Sequence, residues 1–224
     1  MTASPLRKFS LTVNFLSYWF ISTGLEKGAY TDQLMLRDAD GFPFIPGKTL
    51  KGVFREAFRV AGNSGWFDRF NSQGTDNDAF RHSLIQTIFG HDGTKEGFSQ
   101  DELHSEGIIH FTNAALPKAV KDKIGGNREH LFTTVQSTAI DFDTGTAQNK
   151  SLRTMEVAVP MHLKGEITLD PPFSGAADGE KLSIETMTEI AGLFDPVSAL
   201  ITEIGGKRRR GFGRCIWEME AEND

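Results

Sequence analysis

The segment that most constrains the fold is an amphipathic stretch that begins after Pro46-Gly47, at Lys48 or Thr49. Apolar residues recur there at positions i, i+3, i+4, i+7 and i+8, and they are Leu50, Val53, Phe54, Ala57 and Phe58. This spacing predicts a helix with one buried face. At 100° per residue, four cations fall within roughly 80° of each other on the opposite face. These cations are Lys48, Lys51, Arg55 and Arg59.

Strand and helix patterns surround this helix along the whole chain. Aromatic and β-branched runs predict strands, and apolar residues at helical spacing predict further helices. The predicted strands are 9–21, 33–37, 42–45, 108–112, 157–169 and 215–219, and the predicted helices are 79–89, 182–194 and 197–204. The turn at 38–41 joins two strands as a hairpin, and Asp195-Pro196 is expected to separate the last two helices. The order predicts an α+β fold with helices on one face of a sheet.

The length and composition favour one domain spanning residues 1–224. Apolar residues make up 38 % of the 224 positions, which is sufficient for one well-filled core. Residues 62–107 are rich in Gly, Asp and Asn around a single helix, and we interpret them as an insertion. Residues 125–156 form a long polar excursion, which in a compact domain is usually functional or disordered.

Positive charge is concentrated in two short segments, although the whole chain carries −6. Residues 47–61 contain four basic residues and one acidic residue, while residues 205–216 contain five basic residues and no acid. The rest of the chain therefore carries −14. This distribution is typical of a phosphate-binding surface, and we expect the two segments to lie side by side as one track for a nucleic-acid strand. The alternative is that each is simply a solvated face.

The residues 41–49 invite comparison with a phosphate-binding loop of nucleotide triphosphatases. Five residues separate Gly41 from Gly47-Lys48-Thr49, where that motif requires four. Pro46 also lacks a backbone N–H that a phosphate cradle would use. The spacing therefore argues against a triphosphatase, but a helix that begins beside two lysines still favours binding of a backbone phosphate.

The second basic segment, residues 205–214, combines four glycines with five cations and one aromatic residue. Glycines allow the backbone to approach a ligand closely, cations bind phosphates, and an aromatic ring offers a face for base stacking. The candidate RNA-binding residues here are Lys207, Arg208, Arg209, Arg210, Phe212 and Arg214. The alternative is a glycine-rich turn with solvated arginines.

Several other classes of protein are disfavoured. No apolar run is long enough to span a membrane, and residues 1–8 lack a signal-peptide pattern, so a cytoplasmic protein without a membrane partner is expected. The single cysteine, Cys215, excludes an internal disulfide and a multi-cysteine zinc site. Four histidines without metal-ligand spacing are assigned no metal: His82, His91, His104 and His110.

The segments GFPFIPGKTLKGVFREAFR and EIGGKRRRGFGRC together resemble the RAMP superfamily of CRISPR-associated proteins. IQTIFGHDG, GIIHFTNAAL and TAIDFDTGTAQNKSLRTMEVAV lie between them in the family's order, so the resemblance covers nearly the whole chain. More narrowly, the chain is similar to the backbone subunits of type III effector complexes. This implies a ferredoxin-like (RNA-recognition-like) core with an antiparallel sheet, large insertions and a C-terminal glycine-rich loop. It also implies guide RNA, complementary target RNA and further RAMP copies in a filament as partners.

The resemblance also implies roles for particular residues. Lys48, Lys51 and Arg55 would belong to a guide-binding helix, with Thr49 and Arg59 beside them. Residues 207–214 would belong to the glycine-rich loop, and residues 127–156 would match a protruding hairpin that wedges the guide–target duplex.

Asp32 is the candidate catalytic residue, since cleaving backbone subunits carry one aspartate in the corresponding loop. The resemblance implies that Asp32 acts with Mg²⁺ or another divalent cation and leaves a 2′,3′-cyclic phosphate on target RNA. Without the resemblance, Asp32 would be taken for an ordinary loop aspartate. Asp38 and Asp40 are better explained as turn residues.

Three rival functions remain open from the sequence. The chain could be a non-catalytic structural subunit of the same complex, in which Asp32 is inert. It could also be a guide-processing endoribonuclease of the same superfamily, although no histidine lies near either basic segment in sequence. The third rival is an unrelated acidic binding module without salt-dependent RNA affinity.

Overall fold

The computed structural model describes residues 7–22, 34–71, 74, 76–90, 107–148, 151–171 and 183–222. Its strands are β1 (Arg7–Phe15), β2 (Phe44–Ile45), β3 (Ile109–Phe111), β4 (Ala114–Ala115), β5 (Phe132–Ser137), β6 (Arg153–Ala158), β7 (His162–Leu169) and β8 (Cys215–Ala221). Its helices are α1 (Gly47–Asn63), α2 (Asn77–Phe89), α3 (Lys118–Ile124), α4 (Ile184–Ala191) and α5 (Phe194–Ser198). Short 3₁₀ turns occupy Asp68–Phe70, Arg128–Leu131 and Arg208–Arg210.

The main sheet is antiparallel, with β7 at its centre and β1 between β7 and β8. Its strand order is β2-β4-β7-β1-β8, and β3 also pairs with β7. Leu11 of β1 lies opposite Gly165 of β7 on one side and Met219 of β8 on the other. From Phe9 to Phe15 the odd-numbered residues of β1 are buried and the even-numbered ones are more accessible, as strand alternation requires. The predicted α+β, ferredoxin-like class is confirmed.

The helices supply the aromatic side chains that cover the buried face of the sheet. Phe54 of α1 lies 5.3 Å from Phe194 of α5 and 6.2 Å from Trp217 of β8, measured between ring centroids. Phe194 in turn lies 5.6 Å from Phe9 at the start of β1. The apolar stripe predicted for α1 therefore faces the sheet, and its cations face away from the core.

The segment after α1 adds to the same core rather than forming another. Asp76 begins α2 by accepting a hydrogen bond from the Ala79 N–H at 3.3 Å. Arg81 fixes α2 to the preceding turn through Asp68, with a distance of 2.6 Å between guanidinium and carboxylate. The buried residues of α2 join the main cluster: Phe80, Leu84, Ile88 and Phe89.

The C-terminal helices differ from the predicted boundaries. Pro196 lies inside α5 instead of ending a helix, because proline is tolerated in the first turn, where its missing N–H has no partner to lose. Residues 199–204 are not helical. The N–H of Ile204 instead donates to the Gly213 carbonyl at 2.9 Å, and the N–H of Cys215 donates to the Thr202 carbonyl at 2.9 Å. This segment runs beside the glycine-rich loop.

Several predicted strands are shorter than expected. The strands predicted at 42–45 and 108–112 are reduced to β2 and β3, and the one predicted at 33–37 forms only isolated pairings of Met35 with Ser22 and Arg37 with Pro43 in its described residues. β1 ends at Phe15, and residues 16–22 continue as an irregular extended segment with isolated pairings of Trp19 to Ala158 and Ser22 to Met35. The run at 157–169 is divided between β6 and β7, since the chain turns after Ala158. After Phe15 and between β6 and β7, the chain passes between the main sheet and the base of a second sheet.

The second sheet is a two-stranded hairpin made by β5 and β6, from Phe132 opposite Ala158 to Ser137 opposite Arg153. An isolated pairing of Ile140 with Ala147 lies beyond them. Residues 142–148 are exposed, and the side chain of Phe142 is 100 % accessible. The polar segment at 125–156 therefore begins with a turn and the 3₁₀ helix Arg128–Leu131, and its described residues from Phe132 onward form a hairpin.

Candidate nucleic-acid interface

The glycine-rich loop, defined as residues 205–214, is held against the segment that follows β1. The Gly206 N–H donates to the Phe20 carbonyl at 2.8 Å, and the Gly213 N–H donates to the Tyr18 carbonyl at 2.8 Å. The Arg214 N–H donates to Ser17 Oγ at 3.0 Å. These bonds join residues almost 200 positions apart and fix both ends of the loop.

Two glycines are required by the close approach of the loop to its neighbours. Gly205 has φ +99° and Gly213 has φ +76°, in the left-handed region that favours glycine. A Cβ on Gly205 would collide with the Phe20 carbonyl oxygen, and one on Gly213 with the Ile204 carbonyl oxygen. These glycines thus allow the loop backbone to pack closely against the rest of the protein, while the residues between them project outward.

The five cations of the loop are exposed. Lys207 adopts a left-handed conformation with φ 60°, and the next three residues form the 3₁₀ turn. Among the residues that the structure describes, none of Lys207, Arg208, Arg209, Arg210 and Arg214 forms an ion pair. The loop therefore presents uncompensated positive charge, which is the electrostatic requirement for binding a polyanion.

Phe212 does not have the fully open face that base stacking would favour. Its side chain is partly buried and packs against the hydrophobic core. A different aromatic residue, Tyr18, lies next to the loop and is 45 % exposed. The sequence predicted Tyr18 as part of the strand at 9–21 and gave no signal for its exposure, because β1 ends at Phe15 and the chain beyond it is irregular.

The start of α1 packs against the connection between β3 and β4. The Gly47 N–H donates to Asn113 Oδ1 at 2.9 Å, and a Cβ on Gly47 would collide with the Phe111 carbonyl oxygen. One of the N–H groups at this helix end is thus already bonded within the protein. Lys48 is exposed beside it, and Thr49 is half-buried.

The cations of α1 are less available than the sequence pattern suggests. Arg59 is paired with Glu56 one turn earlier, at 2.6 Å, and this hydrogen bond lowers the pKa of the Glu56 carboxyl. Lys51 and Arg55 are half-buried, and the Arg55 guanidinium lies 3.4 Å from the Gly90 carbonyl oxygen. Arg59 is therefore engaged by a neighbouring acid, because an i, i+3 spacing places the two side chains together.

The two basic elements do not adjoin at the start of α1. The Thr112 N–H beside that start donates to the Glu166 carbonyl, and Glu166 lies opposite Ser10. The loop joins β1 at Leu16, whose N–H donates to the Arg214 carbonyl at 2.8 Å. Six residues of strand correspond to about 20 Å. A nucleic-acid strand touching both elements would span several nucleotides.

Asp32 lies outside the described residues, but the ends of its segment are placed. The Leu36 N–H donates to the Ile21 carbonyl at 2.8 Å, and Ser22 pairs with Met35. Close to this point, Trp19 pairs with Ala158 at the base of the hairpin. The described residues that flank this segment, up to Ser22 and from Leu34, therefore lie between the glycine-rich loop and the hairpin.

Asp38 holds the turn that precedes α1. Its carboxylate accepts from the N–H groups of Asp40 at 3.0 Å and Phe42 at 2.8 Å, and Lys121 Nζ lies at 2.6 Å. Burial raises the pKa of the Asp38 carboxyl, but Lys121 and the two N–H groups together bring it below its ordinary value. These contacts explain Asp38 as a structural turn residue, and Asp40 contributes its N–H to the same turn.

Among the residues that the structure describes, the remaining polar groups do not assemble a metal centre. Within the described ranges, no group of three or more His, Cys, Asp or Glu side chains could hold a metal ion. His110 lies 3.3 Å from Asp170, His82 contacts Gln86, and His91 and His104 are outside the described residues. Burial raises the pKa of the Cys215 thiol to about 12. In the same ranges, no helix combines the length and hydropathy needed to cross a membrane.

The antiparallel sheet with its helices, including α1 beginning after Pro46, is of the α+β, ferredoxin-like class. The RAMP superfamily model matches residues 12–216, and the chain belongs to that superfamily. The resemblance seen in the sequence is thus confirmed. No curated protein matches the chain in sequence.

Two solved structures with a similar fold are of the type III-B Cmr-beta complex. One structural alignment covers 96 % of this chain and 98 % of a chain in the type III-B Cmr-beta complex bound to cognate target RNA, with a TM-score of 0.57 and 12 % identity. A second alignment covers 99 % of this chain and 99 % of a chain from the apo state of type III-B Cmr-beta, with a TM-score of 0.56 and 12 % identity. At this identity the likeness establishes a shared fold over nearly the full length.

Proposed function

We propose that this chain is a guide-RNA-binding backbone subunit of a type III CRISPR ribonucleoprotein. The observation that carries the proposal is the glycine-rich loop, whose five exposed cations have no acidic partner among the described residues. Phosphate groups are the ligands that such a surface binds best, since several cations can neutralise adjacent phosphates of one strand. Membership of the RAMP superfamily and the likeness to chains of Cmr-beta support RNA as the polyanion.

The guide strand would contact both basic elements. Lys48, Lys51 and Arg55 on α1 would bind phosphates on one side, and the glycine-rich loop would bind them on the other. These contacts involve the RNA backbone, so they would impose little preference for guide sequence. Further RAMP copies along the same guide, and the complementary target RNA, are the partners that this arrangement implies.

The hairpin of β5 and β6 would lie along the guide–target duplex. Its base is anchored by Arg37, which contacts Glu156 at 2.7 Å and lies 3.7 Å above the ring of Phe132. Because the base is fixed and residues 142–148 are exposed, the hairpin has the form needed to separate successive segments of a duplex.

Steep salt dependence tests the RNA-binding proposal. If the loop neutralises five phosphates, a plot of log Kd against log salt concentration should have a slope of about 3.5 for single-stranded RNA. Replacing Arg208, Arg209 and Arg210 by alanine should reduce this slope by about 2. A matched control replaces three exposed lysines elsewhere: Lys8, Lys118 and Lys123. Equal effects of the two triple variants, or affinity independent of salt, would contradict the proposal and favour an unrelated acidic module.

We further propose that Asp32 takes part in cleaving the bound target. In this transesterification the 2′-oxygen forms a bond to phosphorus, the bond to the 5′-oxygen breaks, and the 2′-hydroxyl proton ends on that leaving oxygen. The products are a 2′,3′-cyclic phosphate and a 5′-hydroxyl. A divalent cation shared by Asp32 and phosphate oxygens would stabilise the developing charge. The placement of the segment ends between the loop and the hairpin supports this role.

Substitution of Asp32 separates a cleaving subunit from a purely structural one. In the assembled complex, Asp32→Ala is expected to abolish target cutting and to leave assembly and target binding intact, while the exposed turn residue Asp40→Ala serves as the control. Cleavage is followed by gel analysis of the product ends. Normal cutting by the Asp32 variant would establish the structural alternative, and cutting of repeat RNA by the isolated chain would favour the guide-processing alternative.

A further inference from the structure

A small apolar patch lies beside the glycine-rich loop, and it consists of Leu16, Tyr18 and Ile216. These side chains are 53 %, 45 % and 47 % exposed. Ile216 lies between the buried Cys215 and Trp217 of β8, on the face of the sheet that the helices leave open, and Leu16 and Tyr18 lie in the segment that continues the chain beyond β1. Exposure of three large apolar side chains in one place is an observation that the charge pattern alone does not explain.

Backbone hydrogen bonds place this patch beside the glycine-rich loop. Phe15 lies opposite Cys215, and the Leu16 N–H then donates to the Arg214 carbonyl at 2.8 Å, just beyond the last pair of the β1–β8 ladder. The Tyr18 carbonyl, two positions later, accepts from the Gly213 N–H, so Tyr18 also lies next to the loop.

We propose that Tyr18 is a base-stacking residue, which holds an RNA base on its ring while the glycine-rich loop binds the flanking phosphates. The inference rests on the proposed RNA-binding function and adds a contact to the bases. An aromatic ring beside a cationic groove is the usual platform for single-stranded nucleic acid, because every base has a π-face. Leu16 and Ile216 add exposed apolar surface beside the loop.

Tyr18 fits this role better than the other aromatic side chains. Phe212 packs partly into the core, whereas the ring of Tyr18 is held at the surface by a backbone that is bonded on both sides. The other exposed aromatics among the described residues are Trp66, which follows α1, and Phe142 at the hairpin tip. Neither of these adjoins the loop.

The occupant is inferred to be RNA rather than a second copy docked symmetrically on the same patch. A symmetric contact would bring the five cations of each loop next to those of the other copy, and like charges at close range repel. A polyanion instead gains from both features at once, since its phosphates meet the cations while a base covers the apolar ring.

Abasic RNA tests the inference, because it keeps the phosphates and lacks the bases. Tyr18→Leu is expected to weaken binding of single-stranded RNA about fivefold or more, and to leave both abasic-RNA affinity and the salt slope unchanged. Tyr18→Phe retains the ring and should bind like the parent protein. Trp66→Ala is the control for loss of an exposed aromatic elsewhere, and circular dichroism verifies folding.

The outcomes separate this inference from the proposed function. If the Arg208, Arg209 and Arg210 variant weakens binding of both RNAs while Tyr18→Leu behaves like the parent, stacking is excluded and RNA binding stands. If neither variant has an effect, both proposals fail. Altered self-association of Tyr18→Leu with unchanged RNA affinity would instead identify the patch as a protein contact. If Tyr18→Leu fails to fold, the parent protein is photo-crosslinked to RNA that contains 5-bromouridine. A crosslink in the peptide that contains Tyr18 supports the inference, and the lack of one in that peptide overturns it.

Discussion

The glycine-rich loop and helix α1 carry similar numbers of cations but offer them differently. On the loop, all five cations are exposed and have no acidic partner among the described residues. On α1, Arg59 is bonded to Glu56, and Arg55 lies against the Gly90 carbonyl. The difference teaches that the availability of a charge depends on its neighbours in space more than on the number of basic residues in a segment.

Backbone geometry explains why the two elements differ. A helix repeats every 3.6 residues, so any acid three or four positions from a cation becomes its neighbour. The loop has no acid within it, and its glycines hold the backbone against carbonyl oxygens while the arginines project outward. The loop is therefore expected to dominate binding, and α1 to contribute mainly through Lys48.

The largest expected difference between the loop and α1 is in the free energy of unfolding when one glycine of each is replaced by alanine. Gly213→Ala should destabilise the fold by about 3 kcal/mol, because its Cβ collides with the Ile204 carbonyl at a left-handed φ. Gly52→Ala on α1 is the matched control, since nothing lies within 4 Å of the added atom, and it should stabilise by about 0.5–1 kcal/mol. Urea unfolding measures both, and equal effects would break the comparison.

Removing equal charge from each element sharpens the comparison directly. Arg208→Ala with Arg210→Ala should reduce RNA affinity about tenfold or more, whereas Lys48→Ala with Arg59→Ala should reduce it about threefold, since one of that pair is already neutralised. Fluorescence anisotropy at fixed salt gives the two dissociation constants. A larger loss from the helix pair would reverse the proposed order.

The smallest expected change in RNA affinity comes from removing the ion pair between Arg59 and Glu56. Glu56→Gln removes the acidic partner and should raise RNA affinity about twofold at low salt. The hydrogen bond from Arg59 keeps the pKa of Glu56 below its usual value, so the ion pair is complete above the ordinary pKa of a glutamate. It is lost as pH falls through the lowered value. The parent protein should thus approach the affinity of Glu56→Gln at acidic pH, and a constant difference would show that the pair does not limit binding.

Much of the local structure could be predicted from the sequence. The apolar stripe of α1, the turn at Asp38, helix α2 and the late glycine-rich loop all follow from short-range patterns, and the α+β class follows from their order. The limits of α5 and β1 could not be predicted. Pro196 is compatible with both the end and the first turn of a helix, and only packing of Phe194 under α1 decides between them.

The sequence by itself determined which segments carry charge, which glycines interrupt them, and which helix face is apolar. Tertiary structure decided how these parts are presented, because hydrogen bonds between residues about 195 positions apart attach the loop to Ser17, Tyr18 and Phe20. That attachment turns Phe212 toward the core, leaves Tyr18 at the surface, and sets the loop about 20 Å along the sheet from the start of α1. Contacts between such distant residues depend on the register of β1, β7 and β8, which no local pattern contains.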